Sequence, residues 1–279
     1  MELWLVSWTS LFWAATFATV ACLSTIITFM YALAKSQNSQ VPQWRSRNTP
    51  IHLLVVLGSG GHTAEMFSML RRMELDPSKF THRTYVVSSG DNFSATKAVE
   101  FETTDLRERI NTNKKPAATG SYSIVTVPRA RRVHQSFLTA PFSTIQSFWS
   151  CLLVLRGLHP DQQSLISPRL PSPYPDIILT NGPATAVCVI LAARLLRLWF
   201  FLCGVFSVGR GTQSGTSALS DFQLRTVFVE SWARVKTLSL SGKLLLPFAD
   251  RFLVQWPGLE GKKAWPGMRG TEYVGPLVD

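Results

Sequence analysis

The chain has 279 residues, which suits one substantial α/β domain plus extras and is cramped for two Rossmann domains of ordinary size. Its 28 Lys and Arg against 17 Asp and Glu give a net charge of +11 and a pI near 9.9, so an anionic partner is expected. Zinc-finger spacing and the aromatic RNP pattern are missing, which argues against nucleic acid and for anionic lipid or a diphosphate.

From Leu3 to Leu33 no residue is charged, and Lys35 ends the run. That length crosses a bilayer with some tilt. Trp4, Trp8 and Tyr31 stand near its ends, as interfacial aromatics do. A cleaved signal peptide would carry a basic start and a shorter apolar core; Glu2 and the length favour an uncleaved anchor over residues 1–34. Lys35, Arg45 and Arg47 follow the run, so the positive-inside rule puts the body of the protein in the cytosol. Residues 35–50, with Pro42 and Pro50, read as a linker.

Ile51–Leu57 is a continuous aliphatic run of strand length, expected of a strand buried on both faces. The turn Gly58-Ser59-Gly60-Gly61 follows, then a helix over about Thr63–Met73. Thr84–Val87 is the second strand, Ala95–Ile110 a helix and Ser123–Val127 the third strand. A basic loop comes next, with Arg129, Arg131, Arg132 and His134. Phe137–Leu158 is an apolar helix that fits a buried core or an interfacial position; Pro141 and scattered polar residues disfavour a second span. A proline-rich insertion covers about 159–175. Asp176–Leu179 is a strand, and Asn181-Gly182-Pro183 turns into a helix through Leu196, with Pro183 at its first position. Leu198–Cys203 is strand-like, and 206–222 is a Gly/Ser-rich insertion. Thr226–Val229 is a strand, Thr237–Leu246 a short helix and Arg251–Gln255 the last strand. The alternation implies a parallel sheet covered on both faces, with ligands at the carboxyl ends of its strands. The four cysteines (Cys22, Cys151, Cys188, Cys203) form no CxxC pair and read as thiols of a reducing compartment; no metal-ligand spacing appears.

Candidate site residues follow from those strand ends. Gly58, Ser59, Gly60, Gly61 and Thr63 form a strand–turn–helix junction whose amides can hold a diphosphate, and Asn181 and Gly182 sit on the neighbouring turn. A tight turn without a ligand is the plainer role. The pattern departs from the dinucleotide fingerprint, with Thr63 at the last glycine position, and no GK[ST] is present. His62 fits a base toward a sugar hydroxyl or a capping residue. Asp91 fits a base or a turn former, and Glu230, directly after an apolar strand, a base near the cleft. Glu65, in the first helical turn, suits the helix dipole. Arg129, Arg131, Arg132 and His134 fit phosphate or lipid headgroups, or a solvated loop.

The segments LGSGGHTAEM, RARRVHQS, PDIILTNGP and VFVESWARVKTLSLSGKLLLPFADRFLVQWPGL, together with the anchor, resemble one family over most of Ile51–Leu259. It is the family of membrane-anchoring subunits of the UDP-N-acetylglucosamine transferase of dolichol-linked oligosaccharide synthesis, asparagine-linked glycosylation protein 14. The resemblance implies a Rossmann-like domain over 51–259, the N-terminal acceptor half of a split GT-B glycosyltransferase. A soluble partner would supply the UDP-N-acetylglucosamine site, and the chain would be inactive alone. The pair would add, with inversion, the second N-acetylglucosamine to a dolichol-diphosphate acceptor on the cytosolic face of the endoplasmic reticulum membrane. No cofactor is implied. The residues after Gln255, with Tyr273, Val274 and Leu277 in the tail 260–279, would contact the partner.

Overall fold

The computed structural model describes residues 2–38, 49–73, 75–76, 79–108, 120–131, 135–136, 138–162, 172–182, 184–207 and 223–278. Arg132, His134, Phe137, Pro183, most of the proline-rich insertion and 208–222 lie outside the described residues. So do residues 39–48 of the expected linker.

Seven parallel strands form one sheet among the described residues: β1 (His52–Val56), β2 (His82–Ser88), β3 (Ser121–Val127), β4 (Ile177–Asn181), β5 (Arg225–Val229), β6 (Arg251–Val254) and β7 (Glu272–Tyr273). Their order is β3-β2-β1-β4-β5-β6-β7. The chain builds outward from β1 through β2 to β3, then returns to place β4 on the other side of β1. That reversal opens a crevice above the carboxyl ends of β1 and β4, where ligands of such sheets bind. All five residues of β1 are buried, as expected of a strand covered on both faces.

The helices are α1 (Glu2–Asn38), α2 (Gly61–Arg72), α3 (Asn92–Glu100), α4 (Ala140–Leu155), α5 (Ala184–Ser207) and α6 (Leu240–Leu245). On one face of the sheet, α2 and α3 cover Leu53, Val55, Tyr85 and Val87. On the other, α4 and α5 cover Leu54, Val56, Val86, Val125 and Ile178. A third cluster joins Phe228, Phe252 and Val254 to Leu245 and Leu246 at the end of α6. The buried Arg83 side chain on β2 is matched within this apolar setting. Its Nε and Nη2 donate to the two Glu102 oxygens at 2.6 and 2.7 Å, and Tyr85 Oη donates to Oε1 at 2.7 Å. Pairing of this kind is what lets a guanidinium stay charged in a core.

Several elements differ from the sequence expectation. Leu198–Cys203 is not a strand: α5 runs unbroken through it to Ser207. The run is apolar on every side, so its period is hidden, and the helix already nucleated at Ala184 propagates through it. Helix α3 starts at Asn92 because Asp91 caps it, then widens into a π turn at Phe101–Asp105. The tail contributes β7, an edge strand too short to show a pattern. Helix α4 has one buried face (Ser147, Ser150, Cys151, Val154) while Phe142, Ile145 and Trp149 stand 78, 66 and 64 % exposed. Cys151 and Cys188 are buried free thiols.

Helix α1 is an apolar helix long enough to cross a membrane, and its 18-residue apolar window is wholly uncovered by the rest of the chain. It continues four residues past the expected end at Ala34, and that last turn is bonded to the domain. Gln37 is buried; its Nε2 donates to the Leu246 and Ala249 carbonyls at 3.0 and 2.8 Å, and its Oε1 accepts from the Arg269 amide. Asn38 Nδ2 donates to the Gly267 carbonyl at 2.8 Å, and Arg194 Nη1 on α5 donates to Ser36 Oγ at 2.7 Å.

Candidate functional site

The crevice above β1, β4 and β5 is a cleft of about 780 Å³. Gly58, Ser59 and His62 line it from the β1 turn, Asn181 and Gly182 from the end of β4, and Glu230 and Ser231 from the end of β5. Arg129 and Arg131 approach from the loop after β3. Leu240 and Leu244 on α6, 74 and 53 % exposed, form an apolar wall. The loop of Arg234 completes the rim.

The glycines of this site have distinct tasks. Gly58 and Gly182 make room for His62. A Cβ at Gly58 would lie 2.6 Å from His62 Cβ, and one at Gly182, whose φ is +86°, would lie 2.9 Å from His62 Cγ. Gly60 takes φ +61° at the N-cap of α2, a conformation that favours glycine, and Gly61 faces open space. The imidazole is therefore held between two turns belonging to the neighbouring strands β1 and β4.

Glu65 stands one turn further along α2. Its Oε2 lies 3.6 Å from His62 Nδ1 and accepts from Asn181 Nδ2 at 2.9 Å; its Oε1 accepts from Ser231 Oγ at 2.8 Å. Burial pushes the Glu65 carboxyl up, but the nearby His62, the Ser231 hydroxyl and the Trp232 amide outweigh it, so it sits below the ordinary range. An ionised carboxylate thus faces Nδ1. Nδ1 itself is buried while a third of the His62 side chain is exposed, which leaves Nε2 as the nitrogen open to the cleft. A histidine with an acceptor behind one nitrogen and solvent before the other is arranged to take up a proton. The carbonyl oxygen of the Asn181 side chain is buried without a partner in the same place.

The other sequence candidates fall into different positions. Thr63 turns inward: its hydroxyl meets the Gly58 carbonyl and Ser94 Oγ, and its amide donates to the Gly60 carbonyl. Asp91 caps α3, accepting from the Ser94 amide at 3.1 Å and Ser94 Oγ at 2.7 Å, and does not line the cleft. Glu230 is 2 % exposed and works beneath the cleft. Its Oε2 accepts from the Ser239 amide and hydroxyl, and its Oε1 from the Ser231 amide, so it holds both ends of the loop that carries Arg234. Arg129 Nε donates to the Ser89 carbonyl at 2.8 Å, which fixes that side chain at the cleft edge. Tyr273, in β7, and Val274, just after it, do not line the cleft and stand 41 and 39 % exposed, while Leu277 packs against the core. Among the described residues no group of three or more His, Cys, Asp or Glu is placed to hold a metal ion. Sequence reasoning passed over Glu65, although its i,i+3 spacing from His62 puts the two on one helical face.

A family model described as oligosaccharide biosynthesis protein Alg14 like matches residues 53–277. The UDP-N-acetylglucosamine transferase subunit alg14 of Aspergillus fumigatus is 61 % identical over 230 residues, 77 % of this chain and 100 % of the relative. The chain belongs to the Alg14 family. Its similarity reaches the Alg14 proteins of Schizosaccharomyces pombe (38 % over 226 residues, 80 % of this chain, 82 % of the relative) and Homo sapiens (33 % over 228 residues, 82 % and 83 %). Both are also named as subunits of a UDP-N-acetylglucosamine transferase. No solved structure matches. The Alg14 match runs from Leu53 in β1 past β7, including every strand end that builds the cleft.

Proposed function

We propose that this Alg14 chain is the membrane-bound, acceptor-binding half of a two-chain UDP-N-acetylglucosamine transferase. In this reading the assembled enzyme adds the second N-acetylglucosamine to N-acetylglucosaminyl-diphosphodolichol at the cytosolic face of the endoplasmic reticulum membrane. Helix α1 anchors the chain, and the Tyr273–Leu277 tail meets the soluble subunit that binds the donor. The names of the relatives and the single Rossmann-like domain support a half enzyme.

The observation that carries the reading is His62, pinned between Gly58 and Gly182 and backed by Glu65. The amides of the Gly58–Gly61 turn and the N-terminus of α2 receive the acceptor diphosphate, with Arg129 and Arg131 beside it. His62 Nε2 takes the proton from the acceptor sugar hydroxyl as its oxygen bonds to the anomeric carbon of the donor. The bond from that carbon to the UDP oxygen breaks, and the electron pair leaves on UDP, which the partner holds. Asp91 serves the fold in this scheme, and Glu230 positions the cleft loop.

The test is transfer of radiolabelled N-acetylglucosamine to the lipid acceptor by the reconstituted pair. His62→Ala, or Gly60 replaced by a bulky residue, is expected to abolish most turnover while the partner still co-purifies. Full activity of both variants would make the chain a scaffold only, and turnover by the chain alone would make it an independent transferase.

A further inference from the structure

Helix α1 is locked to the domain, and this fixes what lies beside it. Wherever a hydrocarbon-spanning window of about 20 residues falls within the uncharged stretch Leu3–Ala34, Ile27 is inside the hydrocarbon or within about 8 Å of its edge. On the reading that α1 spans the bilayer, any part of the domain beside Ile27 and the turns after it stands in the headgroup layer or just inside it.

One segment lies there. The loop 261–271 is closed on itself by the Gly261 amide donating to the Thr271 carbonyl and the Thr271 amide to the Lys262 carbonyl, at 2.9 and 3.0 Å. Its tip, Trp265 and Pro266, shares a groove of about 500 Å³ with Ile27, Met30, Tyr31 and Ala34 of α1. Gly267 and Arg269 bond the same loop to Asn38 and Gln37. Lys262 and Lys263 are exposed on it, and Lys35 lines the groove.

We propose that the Lys262–Gly267 loop is a second membrane contact, with Trp265 in the headgroup layer beside α1 and Lys262 and Lys263 on anionic lipid. The chemistry fits that occupant. Tryptophan prefers the boundary between hydrocarbon and water, and lysines are drawn to an anionic leaflet. The groove is walled by the spanning helix itself, so a lipid reaches it without leaving the bilayer.

The test uses the full chain with its partner subunit in phosphatidylcholine vesicles, with and without phosphatidylserine, and a phospholipid bearing a photoreactive group next to its headgroup. Labelling of the 262–267 peptide, reduced by at least about threefold in the Lys262→Glu, Lys263→Glu double variant or when phosphatidylserine is omitted, is the expected result. Label on α1 with none on the loop overturns the proposal while leaving the anchor in place. Label on neither overturns the anchor as well. Loop labelling that vanishes only when the partner is added makes the loop a protein contact and also overturns it.

Discussion

The ring of His62 occupies the space that a side chain at Gly182 would need, although the two residues belong to turns on different strands. Gly182→Ala would place a Cβ 2.9 Å from His62 Cγ at a residue whose φ is +86°. We expect at least about a tenfold loss of transfer, with about 1–3 kcal/mol lost from stability. Gly61→Ala, which meets open space at an ordinary φ, is expected to keep its stability. Transfer assays and thermal unfolding of the two variants check the contrast.

Glu65→Gln replaces a carboxylate that accepts from both Asn181 and Ser231 and faces His62 Nδ1. The amide can accept only through one of its two terminal atoms. We expect kcat to fall by about 10–100-fold with KM for the donor unchanged, because in the proposed scheme the partner holds the donor. Steady-state kinetics of the reconstituted pair measure that split; a change confined to KM would place Glu65 in substrate binding.

Asp91 provides a control. Asp91→Asn keeps an acceptor for the Ser94 amide and is expected to retain full transfer. Asp91→Ala removes the α3 cap and is expected to lower stability by about 1 kcal/mol without lowering kcat. Loss of turnover in the asparagine variant would return Asp91 to the reaction.

Two buried histidines predict acid sensitivity. His52 and His82 stack edge to face at 4.6 Å. Burial, then the His82 charge, pushes His52 well below its ordinary 6.5; burial, then the Arg83 charge, brings His82 down to about 4. Both are neutral in the folded chain at pH 7. Below pH 6.5 the unfolded chain binds protons that the folded chain refuses, so stability present above that pH is lost as pH falls towards 4. His82 alone accounts for a loss of the order of 3 kcal/mol over that window. Thermal unfolding of the detergent-solubilised chain from pH 7 to 4 should show the fall, with a shallower slope in His82→Asn.

The sheet was legible because its strands are short apolar runs separated by glycine, proline and charge, and the crevice followed from the parallel order. The roles within the crevice were less so. The glycines read as a phosphate cradle; that two of them also make room for an imidazole was hidden, because one of those contacts joins residues 120 positions apart. Glu65 read as a first-turn acid of a helix from about Thr63; α2 starts at Gly61, which puts Glu65 in the second turn, and only folding brings Asn181 and Ser231 to it. Glu230 was singled out from its strand end, but its bonds to Ser239 lie across a loop that no local pattern reveals. Leu198–Cys203 failed because a run apolar on every side shows neither period.

Helix α5 begins at the cleft, where Thr185 lines it, and carries Arg194, which grips Ser36 of α1. An α-helix does not stretch, so these two points stay about 14 Å apart along one rigid rod. In the proposed reading that spacing is a ruler between the α1 anchor and the acceptor cleft, and lengthening α5 by one turn would set it wrong by about 5 Å.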